Sequence, residues 1–430
     1  METITKTATI KDKLIAEFES TKGSLFGDAK LREEAITAFS KQGIPNRKSE
    51  EYKYVNVELA LKGEFSFSGS KKLTAADLTG YGILKNAVQI VIENGIYSEA
   101  LSQISNLPKG LEIMDLAATN QAAFKTHFSK YADINADPFI ALNTSLTKGG
   151  VFIHVSKGTV IETPIHISYI SSTSENQIVH PRALIVVEEH AQATILESYQ
   201  TIKSTGKTFN NAVAEMFIGE SAIVDHYKIQ DESETGALLN ATQTSQLGKS
   251  VFSTHTFILS GGFVRNNLNM VLDGEHIESH LNGLYLTNGT QVVDNHTLVD
   301  HRKPNCNSNE LYKGIIEDRS AATFNGKIYV RKDAQKTNAF QSNKNILLSD
   351  EGTINTKPQL EIYADDVKCS HGTSTGKLDE DKIFYLRARG LSEESAKKLL
   401  MHAFASEVVD TIKIEALKEY IEEKISKRFE

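Results

Sequence analysis

The chain has almost no cysteine: Cys306 and Cys369 are the only two in 430 residues. That excludes a disulfide framework and makes a reducing compartment the natural setting. It also leaves too few thiolates for a stably bound iron–sulfur cluster, which takes about four. Positive charge is scarce as well, with 47 Lys and Arg against 55 Asp and Glu and a formal net charge of −8. This balance offers no electrostatic footprint for DNA or RNA. Long apolar runs are missing: no stretch approaches the ~20 residues that cross a bilayer. Residues 1–20, with charges scattered through them, lack the apolar core of a secretory leader. The expectation is a soluble, cytoplasmic protein that engages neither nucleic acid nor membrane.

What is present divides into three parts. Residues 1–138 read as an N-terminal helical and mixed region. Ile10, Leu14, Ile15 and Phe18 recur at helical spacing, as do Leu31, Ala35, Ile36 and Phe39 before Gly43 and Pro45 stop the pattern. A strand is expected at 87–92 and a more helical stretch at 114–131. Residues 139–376 are rich in β-branched residues, Asn, Gly and Ser and poor in proline, with short strands expected at 150–155, 183–187, 193–196 and 222–224. Segments centred near Thr159, Thr194, Ile223, Phe252 and Ile277 recur at roughly 25 to 35 residues, a period that suggests stacked coils of a β-solenoid. An ordinary sandwich is the alternative. Residues 377–430 turn helical again, with Ser392 as a cap and an apolar face of Ala396, Leu399, Leu400, Ala403, Phe404 and Val408. A final helix carries Ile414, Leu417, Ile421 and Ile425. These stripes either pack on each other and on the end of the β body, or dock a partner.

Four places invite chemistry. His276, His280, His296, His301 and Cys306 are dense in polar ligands, yet their spacings match none of the usual zinc patterns, so structural roles in turns and on solvated faces are expected, with transient iron binding the alternative. Cys369-Ser370-His371 is sharper: on an extended strand, i and i+2 share a face, so thiol and imidazole sit side by side and the pair can lower the thiol pKa. Two ligands hold a metal poorly, so the rest would come from another chain. Gly372-Thr-Ser-Thr-Gly376-Lys377 looks like a phosphate loop but has His371 and Leu378 where that motif needs Gly and Ser or Thr. Asp365 and Asp366 raise the alternative of a β-helical carbohydrate-active enzyme, but strand neighbours point to opposite faces and do not make a facing carboxylate pair.

Ordered blocks then carry a resemblance. Leu284-Tyr-Leu-Thr-Asn-Gly-Thr-Gln291, His296-Thr-Leu-Val-Asp-His301, Glu310-Leu-Tyr-Lys-Gly314, Phe324-Asn-Gly-Lys327, Ala334-Gln-Lys-Thr337, Asn343-Lys-Asn-Ile-Leu-Leu-Ser349 and the run from Pro358 to Gly372 closely resemble the SufB/SufD family of iron–sulfur cluster assembly proteins. The likeness is dense over residues 280–410 and thinner upstream, where Pro45-Asn-Arg-Lys-Ser-Glu-Glu-Tyr-Lys53 resembles the family's N-terminal motif. Cys369-Ser-His-Gly372 and the low cysteine content resemble the SufD branch; a SufB-type primary scaffold is the alternative paralogue. The resemblance implies a mainly β fold, a right-handed parallel β-helix core flanked by helical N- and C-terminal regions. It implies a non-catalytic scaffold subunit of a SufBCD complex, with no stably bound cofactor of its own and with ATP entering only through SufC. By the same resemblance SufC docks on the C-terminal helices, where Leu399, Leu400, Ala403 and Phe404 are the expected contact residues. His371 would lie at the SufB–SufD interface, facing a SufB cysteine where a transient Fe–S cluster forms, with Cys369 beside it as a lesser candidate. A homodimer in isolation is a further possibility.

Overall fold

A computed structural model describes residues 8–67 and 73–429. The first seven residues of the stretch read above as lacking a leader lie outside them. Strands dominate, and they alternate between two ten-stranded sheets that face each other. The pairing is parallel, between each strand and the next but one: Ile223 pairs with Val251, Val251 with Glu278, Glu278 with Asn307, and Asn307 with Asn338. The chain therefore winds as a two-sheet parallel β-solenoid, and the sequence period of roughly 25 to 35 residues is one coil. Because both faces of such sheets are covered, the strands read as near-continuous apolar runs, as in Arg182–Val187, where all six residues are buried.

The corners explain residues that the sequence left unassigned. His190, Ser221, Lys249, His276, Asn305 and Lys336 all adopt a left-handed backbone, with φ between 57° and 61°. They recur at the coil period. The N–H of His190 donates to Glu220, that of Ser221 to Gly248 and that of Lys249 to Glu275, so one corner is stitched from coil to coil by backbone bonds. His276 belongs to this corner ladder.

Inside, alternate residues of the two sheets interdigitate: Ile195, Val224, Phe252, Leu281 and Tyr312 from one, Leu238, Val264, Val293 and Phe324 from the other. Outside, the two sheets are covered differently. The first sheet carries the C-terminal helices Glu393–Val409 and Glu415–Arg428, whose Met401, Ala405, Val408, Leu417, Ile421 and Ile425 pack on Tyr227, Ile229, Phe257, Leu284 and Ile315. The second is covered by Ile10–Thr21, Ala29–Gln42 and Pro138–Leu146 through Leu14, Phe18, Phe39 and Phe139.

Three expectations need correction. Met114 lies in a strand, Leu111–Asp115, and the helix expected over 114–131 is only Ala122–His127. Residues 139–146, expected to open the β region, belong to helix Pro138–Leu146, because Asp137 caps it by accepting from Phe139 N and Pro138 supplies a preset first turn. The C-terminal helices lie on the outer face of the first sheet, not on the end of the β body.

Candidate functional site: an open coil end and a helical platform

The last coil consists of strands Thr353–Ile362 and Val367–Gly376, which close the two sheets at one end. Each pairs on one side only, with Ala321–Val330 and Thr337–Leu347 respectively. Among the described residues nothing covers the other side. Most side chains of Val367–Gly376 are exposed, unlike those of the strands behind them. Two ten-residue strands thus present unpaired N–H and C=O groups to solvent, a template for pairing with another chain.

Cys369 and His371 lie on this edge. Their register partners, Ala339 and Gln341, are both buried, so the pair sits on the inward face of the coil, side by side as the period of two requires. Cys369 is half-buried among Ala339, Ala364, Leu360 and Val367. This burial pushes its thiol pKa above the ordinary value, the opposite of the lowering expected from an adjacent imidazole. His371 is exposed. Among the described residues no group of three or more His, Cys, Asp or Glu is arranged to hold a metal ion.

Behind the edge, the interior is polar. Gln341 Nε2 donates to Glu310 Oε2 at 2.7 Å, and Tyr285 Oη donates to Asn345 Oδ1 at 2.5 Å while accepting from Asn343 Nδ2. Burial raises the Glu310 pKa to about 7 against its bond from Gln341. The glycine of the Phe324-Asn-Gly-Lys327 block makes room here: a Cβ on Gly326 would come within 2.2 Å of Gln341 Nε2.

Of the other sequence candidates, His280 lines an open cavity of about 520 Å³ with Ser370, His371 and Gly372, and the rest do not join this site. His280 pairs with Glu278 at 2.9 Å, His301 is buried with Nε2 2.9 Å from Ser308 Oγ, and Cys306 donates its S–H to the Gly274 carbonyl. Burial lowers the His301 pKa to about 4. The phosphate-loop look-alike 372–377 runs along an edge strand up to Gly376, with Lys377 bound to Asp350, so it lacks the loop-to-helix turn that gathers N–H groups around a phosphate. Asp365 and Asp366 fall in the turn before that strand, where the Asp366 carbonyl accepts from Lys336 N.

The platform lies beside the coil end. The sequence set Leu399, Leu400, Ala403 and Phe404 on one apolar face of their helix with Ala396 and Val408, open to packing on the β body or to docking a partner. The helix instead buries Ala396, Met401, Ala405, Val408 and Val409. Leu399 is 49% exposed, and Leu399, Leu400 and Ala403 turn toward helix Glu380–Ala388 to line an apolar groove of about 400 Å³ with Tyr385 and Leu386. Buried Lys313 sets this rotation: its Nζ donates to the Phe404 carbonyl at 2.7 Å, lies over the Phe404 ring and pairs with Glu407 at 2.5 Å. Phe384 and Tyr385, exposed at 74% and 57%, extend the apolar surface. The sequence reading missed them, although Asp379 as a cap and Gly390 as a stop mark out their helix.

A second missed juxtaposition joins the 45–53 motif to the second sheet. Tyr52 Oη donates to Asp137 at 2.7 Å and its ring carries the Arg265 guanidinium at 3.9 Å. Arg265 pairs with Asp294, which also holds His296 at 2.9 Å, and Glu51 lies on the other side of that imidazole. Burial works to lower the His296 pKa, but the Asp294 carboxylate outweighs it and the net shift is upward. The motif is a latch that clamps the N-terminal helices to the solenoid over a cleft of about 540 Å³.

A parallel β-solenoid with one unpaired coil end, a thiol and an imidazole on that end and an apolar platform beside it defines a protein with surfaces for other chains. The family model for the SufBD core domain of SUF system FeS cluster assembly matches residues 169–404, and that for the SufBD protein N-terminal region matches residues 20–167. The chain belongs to this family. It is 32% identical over 398 residues to an iron–sulfur cluster assembly SufBD family protein of Synechocystis, covering 90% of this chain and 87% of that one. It is 30% identical over 393 residues to the iron–sulfur cluster assembly protein SufD of Escherichia coli, covering 90% and 89%. Against SufD of Bacillus subtilis the identity is 24% over 314 residues, covering 72% and 71%.

Proposed function

We propose that this chain is the SufD-type scaffold subunit of a cytoplasmic SufBCD complex, pairing with SufB through its open coil end and docking SufC on its C-terminal helices. The observation that carries this reading is the exposed edge formed by Thr353–Ile362 and Val367–Gly376. An unpaired edge of this length is a liability in a solitary chain and an asset in one that completes its sheets with a partner. Without SufB the same edge would pair two copies of this chain. The nascent iron–sulfur cluster is cargo at that junction: His371 offers a ligand, SufB supplies the thiolate, and Cys369, half-buried and with its thiol pKa raised, contributes less. The groove of Leu399, Leu400, Ala403 and Tyr385, with Phe404 bound beneath, accepts an apolar element of SufC, through which ATP acts.

The test is cluster content, read by absorbance and iron analysis after the complex is co-expressed and purified anaerobically. With His371→Ala, cluster content falls while complex assembly and the circular dichroism spectrum persist. Cys369→Ala falls less. A His371→Ala complex with wild-type cluster content would remove the residue from the mechanism, and loss of the complex would recast it as an interface contact.

A further inference from the structure

The register of the first sheet sets four residues in one inward-facing column, one per coil: Leu281 opposite Glu310, Glu310 opposite Gln341, and Gln341 opposite His371. The column runs from the apolar interior to the open end. Leu281 is fully buried, Glu310 and Gln341 nearly so, and His371 is exposed. The Gln341 amide has a defined orientation. Its Nε2 is committed to Glu310 Oε2 at 2.7 Å, and it lies against the space left by the missing Cβ of Gly326. With the nitrogen committed to the coil behind, the other end of the amide is Oε1, which is buried without a hydrogen-bond partner. A buried, unsatisfied acceptor costs free energy and is retained only for a reason. The neighbour on the far side of Gln341 is His371, which carries a ring N–H, at the ladder spacing of about 4.8 Å across which stacked amides bond.

We propose that Gln341 is the positioning residue for His371: its Oε1 accepts the imidazole N–H, and Glu310 holds the amide in the orientation that makes this bond possible. The inference rests on the reading of His371 given above. A histidine that offers one ring nitrogen to a metal donates through the other, and that donation sets its tautomer and ring angle. Gln341 would thereby hold the free lone pair of His371 toward the junction with the partner. Glu310 acts here as an acceptor behind the amide, not as an acid.

Two measurements test this. In the full-length chain labelled with 15N-histidine, the His371 resonances, assigned by their loss in His371→Ala, should show one dominant neutral tautomer. Gln341→Met, which keeps side-chain length and removes both amide groups, should return them to the mixture of a free imidazole. In the anaerobically purified complex, Gln341→Met should lower cluster content roughly tenfold, the scale of second-shell losses at metal sites. A solution-like tautomer mixture for His371 in the wild-type chain overturns the proposal even if Gln341→Met fails to fold. So does wild-type cluster content in a folded Gln341→Met complex. Wild-type cluster content in His371→Ala would instead overturn the reading of His371 and leave the tautomer result standing.

Discussion

The two ends of the solenoid are built from the same coils and finished in opposite ways. At the N-terminal end each sheet is closed by a short antiparallel strand, Ile96–Tyr97 against Val88–Glu93 and Leu111–Asp115 against Gly150–Val155. The following segment is tied down by a fully buried carboxylate, Glu215, which pairs with Arg182 and accepts from the N–H groups of Ser129, Tyr131 and Ala132. At the C-terminal end two ten-residue parallel strands stop with no cover among the described residues. A reversed, shortened strand blunts an edge, and a long parallel strand continues one. On the function proposed above, one end is a terminus and the other a joint.

The largest effect should come from breaking the joint. Thr373→Lys combined with Thr375→Lys places charge on the open edge, and association with SufB should weaken by at least about 2 kcal/mol, roughly thirtyfold, the loss expected when the centre of an interface is disrupted. Ile96→Lys, at a position 46% exposed on the capped end, should leave association unchanged. Co-purification with thermal melting as the folding control reads both, and equal effects at the two ends would abolish the distinction between them.

A smaller effect is expected on the platform. Leu399→Asp should weaken SufC binding about tenfold with circular dichroism unaltered, because its side chain faces the groove. Met401→Asp, two residues on and only 6% exposed, buries an unpaired charge and should unfold the C-terminal helices at a cost of several kcal/mol. Reversed outcomes would mean that the helix presents the opposite face.

The smallest effect concerns the interior behind the joint. Glu310 has its pKa raised to about 7 in the fold against an ordinary value of 4.5, so the folded state binds the extra proton between those values and stability falls as pH rises through that window. Glu310→Gln lacks this decline. Its melting temperature should exceed wild type at pH 8, by a free energy on the order of 1 kcal/mol or more, and the difference should vanish near pH 4.5. A pH-independent difference would place Glu310 in contact with water.

Much of this molecule could be read from its residues. The strand candidates at 150–155, 183–187, 193–196 and 222–224 all fall in or at the start of strands, and the coil period was visible because one residue position recurs per turn of the solenoid. The pairing of Cys369 with His371 on one face needed only the period of two. The helix Glu393–Val409 was recognised, but not its rotation. Apolar residues lie around much of its circumference, so local pattern could not tell which stripe met the sheet, and Lys313, some ninety residues earlier, made the choice through Phe404 and Glu407. The 45–53 motif and His296 were each noticed, yet nothing local said that Glu51 would lie 3.4 Å from that imidazole.

By itself, then, the sequence determined which segments become strands, which side chains share a face, where the chain turns, and the family to which it belongs, since all of these depend on backbone preference and short-range order. Only the tertiary structure decided which end of the solenoid stays open, which side of a helix faces outward, and that Glu310, Gln341 and His371 fall into one column. Those are matters of register between coils, and register is set by the summed packing of a whole interior and not by any residue's neighbours in the chain.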